Sequence, residues 1–146
     1  MRRLLLLVSA LLAAGLPAPQ AGAAGFDGTV RATVVRVIDG DTFEAQARIW
    51  VNQTVSIHVR ILGIDAPELH ARCDSERVRA EAARAFLARR IEGADVELSD
   101  VRDDKYGGRV DAHVRDSAGD VAVAMLKAGL VRPYHGERRG SWCPGY

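Results

Sequence analysis

Val55, Ile57, Val59 and Ile61 alternate with Ser56, His58, Arg60 and Leu62. A period of two places the first set on one face of a strand and Arg60 on the other. Such a segment needs a sheet with one buried face, and the neighbouring sequence supplies the partners. Residues 29–38 are rich in Val and Thr, a strand composition. Residues 43–51 read as a second strand, Asp39-Gly40-Asp41 is the turn between the two, and Asn52-Gln53 is a hairpin tip. Gly63 loosens the alternating strand near its end, and Pro67, which has no N–H to donate, ends the extended run. A loop follows through His70 and Cys73. Residues 75–91 predict a helix with Val78, Ala82, Ala85 and Phe86 as its apolar stripe and Gly93 beyond its end. Residues 95–101 alternate as a strand, 102–108 form a polar loop, and 109–116 form another strand closed by Asp116-Ser117-Ala118-Gly119. Asp120 is placed to cap a second helix over 121–128, which Gly129 stops. The tail from Leu130 reads as irregular. About five short strands with two helices predict a mainly β, α+β fold: a five-stranded Greek-key barrel of the OB type, an architecture that often binds oligonucleotides. Fold alone does not decide function.

The 146 residues suffice for one domain with one core. The first segment reads differently from the rest. Met1-Arg2-Arg3 is a positive start, residues 4–16 are almost wholly apolar, Pro17, Pro19 and Gln20 break the run, and Ala21-Gly22-Ala23 offers small residues for cleavage. This predicts a secretory signal peptide over 1–23 and a domain over 24–146, with a periplasmic or secreted product. The apolar run falls short of the roughly 20 residues a bilayer crossing takes, so no stable membrane association is expected after cleavage.

Twenty basic and 19 acidic residues give a formal charge of +1, and cleavage after Ala23 would remove Arg2 and Arg3 and leave −1. A protein that coats nucleic acid carries a strong basic surplus. This balance instead fits a protein that grips one phosphate locally and loses affinity readily in salt. Cys73 and Cys143 are the two cysteines, 70 positions apart. In an exported protein they most simply pair, tying the tail to the segment after Glu68. Two distant cysteines and four scattered histidines give no zinc-ligand spacing.

Three runs carry the chemistry: Ile38-Asp39-Gly40-Asp41-Thr42, Val59-Arg60-Ile61-Leu62-Gly63-Ile64-Asp65-Ala66-Pro67-Glu68, and Asp104-Lys105-Tyr106-Gly107-Gly108-Arg109. Asp41 sits in a tight turn, and Asp65 and Glu68 sit where a strand ends. Carboxylates on rigid neighbours can be held close enough to bind a hard cation despite their repulsion. Asp41 and Asp65 also read as ordinary turn residues, and Arg60 as a solvated strand arginine. Glu68 is a surface acid or a general base that takes a proton from water. Arg60 and Arg109 offer planar guanidiniums that can grip phosphate through parallel hydrogen bonds. Tyr106 is loop packing or a platform for a base.

Taken in order, these runs resemble the staphylococcal nuclease (thermonuclease-like) family from about Thr29 to about Tyr134. The resemblance implies an OB-type barrel with added helices that hydrolyses DNA and RNA with Ca2+, giving 3′-phosphorylated products. It implies Asp41 and Asp65 as side-chain metal ligands and Ala66 as a backbone-carbonyl ligand. It implies Arg60 and Arg109 as the phosphate-holding pair, and Glu68 as the group that orients or deprotonates the attacking water. Lys105, Tyr106 and Tyr134 would lie beside the nucleotide. Two departures stand out. Gly107-Gly108 replaces the usual single glycine: either Arg109 takes the arginine's place after a one-residue insertion or it is displaced, and the match that resumes at Ala112 favours the former. The sequence after the second helix lacks the family's longer C-terminal helix, and a Cys73–Cys143 link would secure the tail instead. No protein partner is implied. The competing class is a catalytically silent OB-fold module that binds nucleic acid or protein; relatives of that kind typically lose the acids or arginines that this chain keeps.

Overall fold

Alternation becomes pairing in the computed structural model, which describes residues 25–26, 28–104 and 108–145. The expected signal segment, 1–23, lies outside them. In chain order the elements are β1 (Gly25–Phe26), β2 (Val30–Val37), β3 (Thr42–Trp50), β4 (Gln53–Ile61), β5 (Ile64–Asp65), α1 (Asp74–Ile91), β6 (Asp95–Asp103), β7 (Arg109–Asp116), β8 (Gly119–Asp120), α2 (Val121–Lys127) and β9 (Arg132–Pro133). The strands β6, β2, β3, β4 and β7 are hydrogen-bonded in that order, and β6 pairs back with β7 to close the barrel. The fold is mainly β with two helices, a five-stranded barrel of the OB type. Closure removes the exposed sheet edges that would otherwise invite aggregation.

The inward positions follow the period-two pattern. Val59 and Ile61 of β4 are fully buried with Phe43 of β3, Leu98 of β6 and Val114 of β7. Arg60, on the opposite face of β4, pairs in register with Thr42 on one side and Asp111 on the other. It is nonetheless only 7 % exposed, because chain beyond the barrel covers that face. Leu62-Gly63 breaks the extended run before Pro67, with Gly63 at φ +82°, so β5 is a separate short strand. Such a φ favours glycine, which has no Cβ to clash.

Helix α1 follows the expected span but turns a different face inward. Its buried apolar residues are Ala80, Ala83, Leu87 and Ile91, while Val78 is 59 % exposed and Ala82 and Ala85 face solvent. Both sets have helical spacing; the set containing Leu87 and Ile91 closes over the barrel beside Val37 and Phe43. Phe86 is partly buried at the edge. Leu87→Ala should therefore cost about 2–5 kcal/mol in chemical denaturation, while Val78→Ala should cost well under about 1 kcal/mol. Comparable losses for the two would restore the other stripe.

At the second helix, the Asp120 side chain accepts from Val123 N at 2.9 Å, the expected cap. Gly129, at φ +68°, ends the helix. The tail is more ordered than its sequence suggests: β9 pairs antiparallel with β5, setting Ile64 opposite Pro133 and Asp65 opposite Arg132. The Cys73–Cys143 disulfide is formed, with Cα atoms 6.0 Å apart. Among the described residues no helix is long and apolar enough to cross a membrane.

Candidate active site

The turn between β2 and β3 brings a carboxylate to the outer face of the barrel. A Cβ at Gly40 would lie 2.7 Å from Ala66 Cβ and 2.9 Å from Ala83 Cβ, so only glycine lets the turn, the 66–68 loop and α1 meet. Beside it, Asp41 is 6 % exposed and fully engaged. Its Oδ1 accepts from Thr42 Oγ1 at 2.9 Å, and its Oδ2 accepts from Arg60 Nη2 at 3.3 Å and from Ala66 N at 3.2 Å. Arg60 Nη2 also donates to Ile64 O at 3.3 Å. A buried carboxylate needs such donors to offset the loss of water.

Asp65 is 4 % exposed. Trp142 Nε1 donates to its Oδ2 at 3.1 Å. Its Oδ1 forms an ion pair with Arg139 Nε at 3.1 Å, yet the alignment leaves that buried oxygen without a directed hydrogen bond. Arg139 Nη1 donates to Glu68 Oε1 at 2.7 Å, so one guanidinium bridges the two acids. Arg109 is ion-paired to Asp104, and its backbone carbonyl accepts from Asp104 N at 3.1 Å. Gly108, just before Arg109, has φ +68°. A small cavity of about 60 Å³ is lined by Asp39, Asp41, Arg60, Ala66, Glu68, Arg109 and Arg139, so Arg109 reaches the same space as Arg60. Tyr134 is half-buried beside it, with the Arg60 and Arg139 guanidinium carbons 5.4 and 5.7 Å from its ring centroid. Lys105 and Tyr106 lie outside the described residues.

Four groups that sequence reasoning missed shape this site. Glu76, in the first turn of α1, is 6 % exposed and accepts from Glu68 N at 3.2 Å and Arg72 N at 3.4 Å. It holds the loop that carries Glu68. Trp142 and Arg139 arrive from the tail. Asp111, opposite Arg60 in register, has a buried Oδ1 without a hydrogen-bond partner among the described residues. Burial pushes its carboxyl above the usual range, and the charge of Asp104 adds to that.

The donors suit a hard cation. Asp41, Asp65 and the Ala66 carbonyl are oxygen donors, the type calcium and magnesium prefer; Asp41 lines the small cavity, while Asp65 lines the neighbouring cleft, with Ala66 in the wall between them. Burial, reinforced by the charge of Asp41, pushes Asp39 up to about 6. Asp65 Oδ1 lacks a directed donor. Among the described residues one group of three His, Cys, Asp or Glu side chains has all its ligand atoms within 4.8 Å of one another, Cys73, Glu76 and Cys143; Asp41, Asp65 and Glu68 are not drawn that close. The two sulfurs of that group are bonded to each other and are not thiolate ligands.

A closed OB-type barrel carries acids and guanidiniums around one outer cavity, groups of the kind that can meet a phosphate. The chain belongs to the staphylococcal nuclease homologue family, whose model matches residues 58–141. That span begins in β4 just before Arg60 and runs into the tail past Arg139. No curated protein matches the chain.

Proposed function

We propose that the protein is an exported, calcium-dependent nuclease that hydrolyses phosphodiester bonds of DNA and RNA with little sequence preference and leaves 3′-phosphorylated ends. The observation that carries this reading is the shared cavity: Asp41, Glu68, Arg60 and Arg109 all line it. The charged start, apolar run and small-residue end of residues 1–23 support export. The disulfide suits an oxidising compartment.

In this reading Asp41, Asp65 and the Ala66 carbonyl hold the calcium ion, which when bound supplies Lewis-acid polarisation of a phosphoryl oxygen. Asp41 keeps the Arg60 guanidinium fixed at the cavity, and Asp104 does the same for Arg109. Both guanidiniums donate to the non-bridging oxygens and offset the charge that grows on them as phosphorus becomes five-coordinate. Glu68 orients the water and takes its proton. The water oxygen bonds to phosphorus, the P–O5′ bond breaks, O5′ takes a proton from solvent to leave as a hydroxyl, and phosphate stays on the 3′ side.

Digestion of single-stranded DNA and of RNA, with calcium and again with excess chelator, tests this. Cleavage should stop in chelator, and Glu68→Gln should lower kcat by about 10²-fold or more. Undiminished cleavage in chelator contradicts the metal role; a wild-type rate in Glu68→Gln contradicts the base. A protein that binds oligonucleotides and never shortens them is the silent module instead.

A further inference from the structure

The small cavity does not end at Glu68. Ala66, Glu68 and Arg139 form a wall shared with a second, larger cleft of about 830 Å³. A volume of this size lies within the range of roughly 300–1,000 Å³ that ligand sites occupy. One side of the cleft is the loop bearing His70 and Arg72; the other is the tail bearing Arg138 and Arg139. The disulfide joins the residue after Arg72 to the tail at Cys143, and Glu76 accepts from Arg72 N, so both walls are anchored. Arg139 is occupied with Asp65 and Glu68. Arg72 and Arg138 are not: both are exposed, and neither makes an ion pair among the described residues. The acids of the cleft, Asp65, Glu68 and Glu76, are already engaged by Arg139, Trp142 and the loop amides of Glu68 and Arg72, so these two guanidiniums are left to meet a phosphodiester chain.

We propose that this cleft is a strand subsite, in which Arg72 and Arg138 hold the phosphodiester next to the one that is cleaved. The proposal rests on the nuclease reading and adds which side chains outside the scissile site hold the strand. Two substrates separate the cases: a short single-stranded oligonucleotide, and the p-nitrophenyl ester of thymidine 5′-phosphate, which has no neighbouring phosphodiester. In Arg72→Ala/Arg138→Ala the ratio of kcat/KM for the oligonucleotide to that for the ester should fall by about tenfold, the scale of one lost charge-assisted contact. Oligonucleotide binding in chelator, followed by fluorescence anisotropy, supplies a readout free of catalysis. The slope of log Kd against log salt should shrink by about 0.7, the share of one single-strand phosphate no longer neutralised. Arg72→Lys/Arg138→Lys should restore most of that slope, and all variants should melt like the wild type. Wild-type cleavage with an unaltered ratio and slope in the alanine variant overturns the subsite alone. A wild type that cleaves neither substrate, in which the alanine pair still removes the slope, overturns the nuclease reading and keeps the subsite.

Discussion

Arg60→Ala is expected to lower kcat/KM for polynucleotide cleavage by about 10²–10³-fold, the usual cost of removing one donor aimed at developing charge. Arg60→Lys should recover little, because an ammonium cannot present two parallel donors to a phosphate. A second effect separates this arginine from a solvated one. Arg60 is buried against Asp41, and the pair is 3.3 Å apart. Truncation leaves Asp41 with the Thr42 hydroxyl and the Ala66 amide but without its guanidinium. Stability in chelator should fall by on the order of 3 kcal/mol, the cost of leaving one partner of a buried pair uncompensated. Calcium, binding the folded state, should return part of that loss, and more in the variant than in the wild type. Kinetics with thermal melts at several calcium concentrations check both parts. A variant with wild-type activity, or one whose melting ignores calcium, contradicts the assignment.

Opening the disulfide should have the other large effect. The bond spans 70 positions, so the chain-entropy model gives it about 4 kcal/mol. For a domain of this size that corresponds to a fall in Tm of roughly 15 °C for Cys73→Ser/Cys143→Ser. The loss reaches the site because Cys143 follows Trp142, whose indole N–H holds Asp65, and anchors the tail that carries Arg139. Activity measured well below the new melting point should therefore also drop. Wild-type protein in reductant should match the double variant on both counts. A variant that melts and cleaves like the wild type would show that the tail holds its place without the bond.

The sequence exposed some parts of the site and hid others for a physical reason. Arg60 was legible because strand periodicity fixes its face, and register then sets it between Thr42 and Asp111. The turn at Asp39-Gly40-Asp41 was legible from local turn chemistry, although the need for glycine at position 40 comes from Ala66 and Ala83. The face of α1 was not legible, since alanines at several angles left two stripes of similar spacing, and only contact with the barrel chooses between them. Glu76 reads as an ordinary acid in a first helical turn until the loop folds over it. Arg139 and Trp142 sit in a tail of polar and glycine residues, and their partners are 71 and 77 positions away. No local pattern encodes contacts of that range. The short pairing of β9 with β5 escaped for the same reason.

The central claim is that Asp41 and Asp65 bind a divalent cation beside the guanidinium pair. A crystal structure with calcium and a non-hydrolysable dinucleotide tests it most directly. The account predicts one ion at about 2.3–2.6 Å from carboxylate oxygens of Asp41 and Asp65 and from the Ala66 carbonyl, with a phosphate held by Arg60 and Arg109. An ion bound elsewhere, or a nucleotide seated away from both arginines, would contradict it.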